Sequence, residues 1–122
     1  WIKAGQEFDL VIDIEVEELD IDIKHDTKVK VVDVRTETEF ADGHVKNAVN
    51  VPLAEMTDLV QIANFEEDQH LYLYCGSGYR SVIANSLLKR QGYHNLRNIL
   101  GGWAAIKEEP SIKTAKEVSV LN

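Results

Sequence analysis

The segment Cys75-Gly76-Ser77-Gly78-Tyr79-Arg80-Ser81 contains the only cysteine of the chain and lies between two contrasting patterns. Before it runs Leu71-Tyr72-Leu73-Tyr74, an apolar stretch suited to a buried strand. After it Val82, Ile83, Leu87 and Leu88 recur at helix-face spacing. The pattern therefore places a lone thiol where a strand ends and a helix begins. Two glycines allow the backbone between them to curl with its N–H groups inward, forming an anion-binding nest. The helix N-terminus adds about half a positive charge, and Arg80 adds a full one. Such surroundings lower a thiol pKa from about 8.5 into the range of about 3.5 to 7.5 and create a nucleophile. A small buried core cysteine is the competing reading, but it leaves Gly76, Gly78 and Arg80 without a purpose.

The 122 residues, 44% of them hydrophobic, suffice for one ordinary domain and are too few for two. One cysteine cannot form an internal disulfide, so a reducing, cytoplasmic setting is the expectation. No apolar stretch approaches the roughly 20 residues that cross a bilayer. The net charge of −8 argues against nucleic acid and anionic membranes as partners. Its distribution is uneven. Residues 1–70 carry 18 Asp and Glu against 6 Lys and Arg, whereas residues 71–122 carry 3 against 7. No acid occurs from Leu71 to Lys107. The cysteine loop thus opens a locally basic segment, which suits small anionic compounds. Lys89 and Arg90 also complement the C-terminal end of their own helix.

Along the chain, strand and helix signals alternate. Leu10 to Ile14 reads as a short edge strand, and Val16 to Leu19 as a short helical turn. Val29 to Val34 is a β-branched run of the buried-strand kind. Thr36 and Glu39 have capping-box spacing, with Gly43 as a helix stop. Ala48 to Val51 is a further strand halted by Pro52. Leu53 to Phe65 has helical spacing, as do residues 79–91. A last strand region falls within Tyr93 to Leu100, and a final helix around Ala104 to Lys107 ends before Pro110. The pattern implies an α/β fold with parallel strands and covering helices, in which ligands bind beyond the carboxyl ends of strands. Cys75 lies at such an end. Ser111 to Asn122 shows no strong pattern. His25, His44, His70 and His94 have no short ligand spacing, so neither a metal nor another cofactor is expected.

Several of these blocks together resemble the rhodanese, or sulfurtransferase, homology domain. They are Val31-Val32-Asp33-Val34-Arg35, Glu39-Phe40, Gly43-His44-Val45, Ala48 to Leu53, Tyr74 to Ser81, and Gly101-Gly102-Trp103. The resemblance covers roughly residues 12–108. It implies a rhodanese-like central, mainly parallel five-stranded sheet flanked by helices. It also implies transfer of a sulfane sulfur through a persulfide on Cys75, with Gly76, Ser77, Gly78, Tyr79, Arg80 and Ser81 binding substrate. Asp33 and Arg35 match the family's Asp-x-Arg and are expected to be framework residues beside the site, as is His44. Four residues separate Cys75 from Arg80, whereas cysteine phosphatases of this fold use five. The spacing therefore points to sulfur rather than to phosphate or arsenate chemistry. The neutral Ser77 and Tyr79 depart from members with a charged loop residue. That weakens the expectation for dianionic thiosulfate and leaves organic persulfides open.

Trp1-Ile2-Lys3-Ala4-Gly5 resembles the segment that closes a rhodanese domain. Residues 1–9 are thus expected to be a linker or the tail of a preceding module, either rhodanese or metallo-β-lactamase-like. Residues 10–110 would be the domain and 111–122 a C-terminal tail. Three functions follow in order: a sulfurtransferase using thiosulfate or a persulfide; a relay or binding module serving a partner domain; and, more remotely, a cysteine phosphatase or arsenate reductase.

Overall fold

In a strand, successive side chains face opposite sides of the sheet, and this alternation organises the molecule around residues 70–75. Leu71, Leu73 and Cys75 fall into one buried cluster, with Val32, Val34, Ala84 and Leu88. Tyr72 and Tyr74 fall into the other, with Val31, Leu19, Ile99 and Ile106. The sheet is therefore covered on both faces, which explains why this strand is apolar throughout. The computed structural model describes residues 12–55, 65, 69–77, 79–93 and 95–116. In chain order these form β1 (Asp13–Ile14), α1 (Val16–His25), β2 (Val29–Asp33), α2 (Glu37–Asp42), β3 (His44–Val45), β4 (Val49–Asn50), a 3-10 turn (Leu53–Glu55), β5 (His70–Tyr74), α3 (Tyr79–Arg90), β6 (Leu96–Ile99), α4 (Gly102–Ile106) and β7 (Thr114–Ala115).

Five strands form a sheet in the order β1-β6-β5-β2-β4, and every pairing is parallel. β5 is central, so Cys75 emerges at the middle of the carboxyl edge. The expected α/β architecture is the one observed. Thr36 and Glu39 form the expected capping box, and Gly43 closes α2. A Cβ on Gly43 would come within 2.9 Å of the Trp103 indole, so this turn needs the space a glycine leaves.

Two elements differ from expectation. α1 runs for 10 residues rather than a single turn. Val16, Leu19 and Ile23 share one face, but only Val16 and Leu19 are buried, and Ile21 lies on the opposite, solvent side, which obscures the stripe in the sequence. The expected patternless C-terminal segment contains β7, which pairs antiparallel with β3 in a second, two-stranded sheet. A two-residue strand is too short for periodicity to reveal. Trp1 to Gly5, residue 11 and earlier in the expected edge strand, most of the expected helix between Glu55 and Phe65, Gly78, His94 and the tail beyond Lys116 lie outside the described residues.

A buried ion pair ties these elements together behind the site. Asp33 is fully buried and Arg35 nearly so. Arg35 Nη2 donates to Asp33 Oδ2 at 2.6 Å and to the Gly43 carbonyl at 2.6 Å, while the Arg35 backbone N–H donates to Asp33 Oδ1 at 2.9 Å. The guanidinium also lies over the rings of Tyr74 and Trp103, 5.5 and 5.0 Å from their centroids. One side chain thus links the ends of β2, α2, β5 and α4. His44 is buried in the same region, stacked on Phe40 at 3.7 Å with Nδ1 2.7 Å from the Phe40 carbonyl oxygen. Breaking a buried pair leaves an uncompensated charge, so Arg35→Ala should cost about 3–5 kcal/mol of unfolding free energy in urea denaturation. A loss below about 1 kcal/mol would show that the pair is not a structural tie.

Candidate active site

The loop after β5 takes its shape from α4. The Trp103 N–H donates to the Cys75 carbonyl at 2.6 Å, and the Ala104 N–H donates to the Gly76 carbonyl at 3.1 Å. In a planar trans peptide the C=O and the following N–H point in opposite directions, and no cis peptide occurs among the described residues. Holding these two carbonyls against α4 therefore turns the N–H groups of Gly76 and Ser77 away from it. The approach is so close that only glycine fits at position 102. A Cβ there would lie 2.3 Å from the Cys75 carbonyl oxygen, and Gly102 also has φ +55°. Gly76 serves a different need: its φ is not left-handed, but a Cβ would come 3.3 Å from Arg80 Nη2.

Cys75 is 1% exposed, whereas Ser77 is exposed and Tyr79 is 74% exposed. The thiol thus sits at the bottom of its loop with polar and aromatic groups at the rim. Ser81 points elsewhere. It is fully buried, its hydroxyl donates to Asn98 Oδ1, and Asn98 Nδ2 donates to Asp13 Oδ1 at 2.9 Å. Asn85 Nδ2 donates to the Ser81 carbonyl at 2.9 Å. The Ser81 side chain therefore ties α3 to β6 and β1, and only its backbone N–H is left for the substrate-binding part expected of it. Asp33 and Arg35 lie behind the loop as a buried pair, and His44 lies among Phe40 and β7 neighbours. Burial pushes the Tyr74 phenol up, and its oxygen accepts the Val45 N–H at 3.1 Å.

Arg80 is placed differently from expectation. It is not left to face an incoming anion alone: Nη1 donates to Glu39 Oε1 at 2.9 Å and Nη2 to Glu39 Oε2 at 3.1 Å. Glu39 Oε1 also accepts the Thr36 N–H at 3.0 Å, so the capping box aims this carboxylate. The hydrogen bond from Arg80 is the main cause holding Glu39 down to about 2. Glu39 is also the main cause pushing the Arg80 guanidinium up, with the charges of Cys75 and Asp33 adding to it. Glu39 was legible as a helix cap and as part of a family block, but not as the partner of Arg80. The signal that could have found it is charge distribution: no acid occurs from Leu71 to Lys107, so a carboxylate for Arg80 had to come from outside its own segment, and 18 of the 21 acids lie in residues 1–70. Gly102 and Asn98 were likewise missed, one read as a turn and the other as part of an ordinary strand. No group of three or more His, Cys, Asp or Glu side chains close enough for a metal ion occurs among the described residues. Nor is any helix among them long and apolar enough to cross a membrane.

Comparison with known proteins identifies the family. The model of the rhodanese-like domain matches residues 15–109, so the chain belongs to the rhodanese-like family. A protein of Allochromatium vinosum named sulfurtransferase is 32% identical over 98 residues, spanning 78% of this chain and 90% of its own. The Arabidopsis thaliana protein named HIGH ARSENIC CONTENT 1, mitochondrial, is 37% identical over 84 residues, spanning 61% of this chain but only 50% of its own. This chain thus spans about half the length of that relative. Among solved structures, the rhodanese-like domain protein from Staphylococcus aureus superposes with a TM-score of 0.75 at 27% identity, covering 89% of this chain and all of the other.

Two outcomes follow from the site. Gly102→Ala should lose at least about 2 kcal/mol of stability from overpacking and a left-handed φ, and should slow Cys75 alkylation. Normal stability and reactivity in that variant would disprove the tight loop-to-α4 contact. The depressed Glu39 pKa means that its share of the stability is complete above pH 4.5 and lost as pH falls through about 2. The Arg80–Glu39 pair is therefore intact at neutral pH. In a carboxyl NMR titration Glu39 should have its midpoint near 2 and move toward 4.5 in Arg80→Ala; a midpoint near 4.5 in the unaltered protein would contradict the pairing.

Proposed function

We propose that this domain is a sulfurtransferase that carries sulfane sulfur as a persulfide on Cys75. The observation that carries the reading is the position of Cys75 at the central carboxyl edge, below backbone N–H groups of Gly76 and Ser77 that α4 turns away from itself. A thiolate there attacks the outer sulfur of a donor, the S–S bond of the donor breaks, and the bonding pair leaves on sulfite or a thiolate. The Cys75 persulfide that remains is anionic, and preorganised N–H donors stabilise such charge. An acceptor thiolate or other nucleophile then takes the outer sulfur and restores the Cys75 thiolate, completing a ping-pong cycle. The donors and acceptors are small anionic sulfur compounds. The near-complete burial of Cys75 favours donors that present sulfur at a narrow end. A cradle with four residues between Cys75 and Arg80 is small for a tetrahedral phosphate or arsenate.

A second reading is a sulfur relay to a partner protein. It is favoured by Tyr79, Val82 and Ile83, which are exposed on α3 next to the loop and are apolar enough to meet another surface.

Intact-mass measurement after exposure to a sulfane donor tests the main reading. The protein should gain about 32 Da, the mass of one sulfur carried by a covalent nucleophile, and Cys75→Ser should gain nothing. Turnover of thiosulfate or a free persulfide in trans favours the enzyme, whereas loading without turnover favours the relay. An adduct that persists in Cys75→Ser, or robust aryl phosphate hydrolysis, would overturn the proposal.

A further inference from the structure

We infer that Glu39 sets the charge of the donor this site accepts, by pairing with Arg80 and so disfavouring dianionic thiosulfate relative to organic persulfides. The inference rests on the sulfur-transfer reading and deepens it. Among the described residues two guanidinium groups lie near the loop, and each is committed to a carboxylate. Arg35 is bound to Asp33 and to the Gly43 carbonyl. Arg80 is bound through both terminal nitrogens to both oxygens of Glu39. These four side chains sum to no net charge. The described loop side chains beyond Cys75 and before Arg80, Ser77 and Tyr79, are neutral as well. What remains for an anion is the set of backbone N–H dipoles, which suits a single diffuse negative charge better than two.

The Arg80–Glu39 pair is not a loose surface contact. Arg80 and Glu39 are each only partly exposed, at 35% and 39% of their side chains. Glu39 is also fixed from its own side by the capping box, through the Thr36 N–H at 3.0 Å and the Thr36 hydroxyl at 3.1 Å. A rotation of Arg80 toward a donor must give up a bidentate charged contact, which is among the stronger hydrogen-bonding arrangements.

The two loading steps balance differently in charge. With thiosulfate, Cys75–S⁻ attacks the outer sulfur, the S–S bond breaks, and sulfite leaves as a dianion, with the persulfide anion on Cys75. With an organic persulfide, Cys75–S⁻ attacks the terminal sulfur of RS–SH, and RS⁻ leaves as a monoanion, the proton staying with the new persulfide until it ionises. The first step gathers three negative charges at the cradle and the second only one. Glu39 adds a further negative charge in both, so its removal relieves the first step more.

The test measures the rate constant for loading Cys75, by quenched intact mass at fixed pH and salt, from thiosulfate and from hydroxyethyl hydropersulfide. Glu39→Gln keeps an acceptor for the Thr36 cap but removes the charge. It should raise the thiosulfate-to-hydropersulfide ratio of rate constants about tenfold, equivalent to about 1.4 kcal/mol. Glu39→Asp, which keeps the charge but shortens its reach, should shift the ratio less in the same direction and serves if Glu39→Gln fails to fold. Thr36→Ala removes one hydrogen bond to the carboxylate but keeps its charge and its pairing with Arg80, and should shift the ratio far less than Glu39→Gln. An unchanged ratio in the Glu39 variants, or an equal shift in Thr36→Ala, would overturn the inference while leaving sulfur transfer intact. If the unaltered protein loads from neither donor, the sulfur-transfer reading fails and the inference falls with it.

Discussion

The functional geometry depends on two backbone hydrogen bonds, from the Trp103 and Ala104 N–H groups to the Cys75 and Gly76 carbonyls. Each net protein hydrogen bond contributes only about 1 kcal/mol, but their consequence is directional rather than energetic. A peptide plane held by its carbonyl has its N–H pointing the opposite way. By drawing two successive carbonyls into α4, the fold orients two successive donors away from it. Gly102 makes the approach possible, and the Arg35 guanidinium over the Trp103 ring holds the helix in place. A framework residue that does not reach the reacting sulfur thereby influences the chemistry through position alone.

Charge around the thiol is compensated at each step. The Asp33–Arg35 pair is buried and sits behind the loop, while the Glu39–Arg80 pair is half-buried and sits beside it. The first fixes structure, because its removal leaves a charge without water. The second is close enough to solvent to exchange partners, and in the proposed function its balance sets how much charge a donor can bring. A site arranged this way relies on oriented dipoles more than on a free cation. That accords with the proposed Cys75 persulfide, which would be a soft monoanion.

Much of this was legible in the residues. The strand–loop–helix around Cys75, the cap at Thr36 and Glu39, and the alternation of strands and helices are local patterns, and they reappear as β5, α2, α3 and the parallel sheet. Asp33 and Arg35 were readable as framework residues through their match to the family's Asp-x-Arg, and the structure shows them as a buried pair. Long-range pairing was not readable. Glu39 and Arg80 lie 41 residues apart, and Asn98 and Asp13 lie 85 apart, so no local spacing relates them. β7 was hidden for the same reason, since its register with His44 and Val45 is a property of the closed fold. Gly102 was visible as a turn residue, but its contact with the Cys75 carbonyl requires α4 to be docked.

The most direct test of the account is the amide NMR spectrum of the isotopically labelled protein before and after loading Cys75 with sulfur. The N–H groups of Gly76 and Ser77 should shift strongly and become protected from hydrogen exchange, because they gain an anionic acceptor. Those of Trp103 and Ala104 should be protected in both states, because their partners are the loop carbonyls. Large changes at Trp103 and Ala104 with none at Gly76 and Ser77 would contradict the account, since the donors would then lie on the wrong side of the loop.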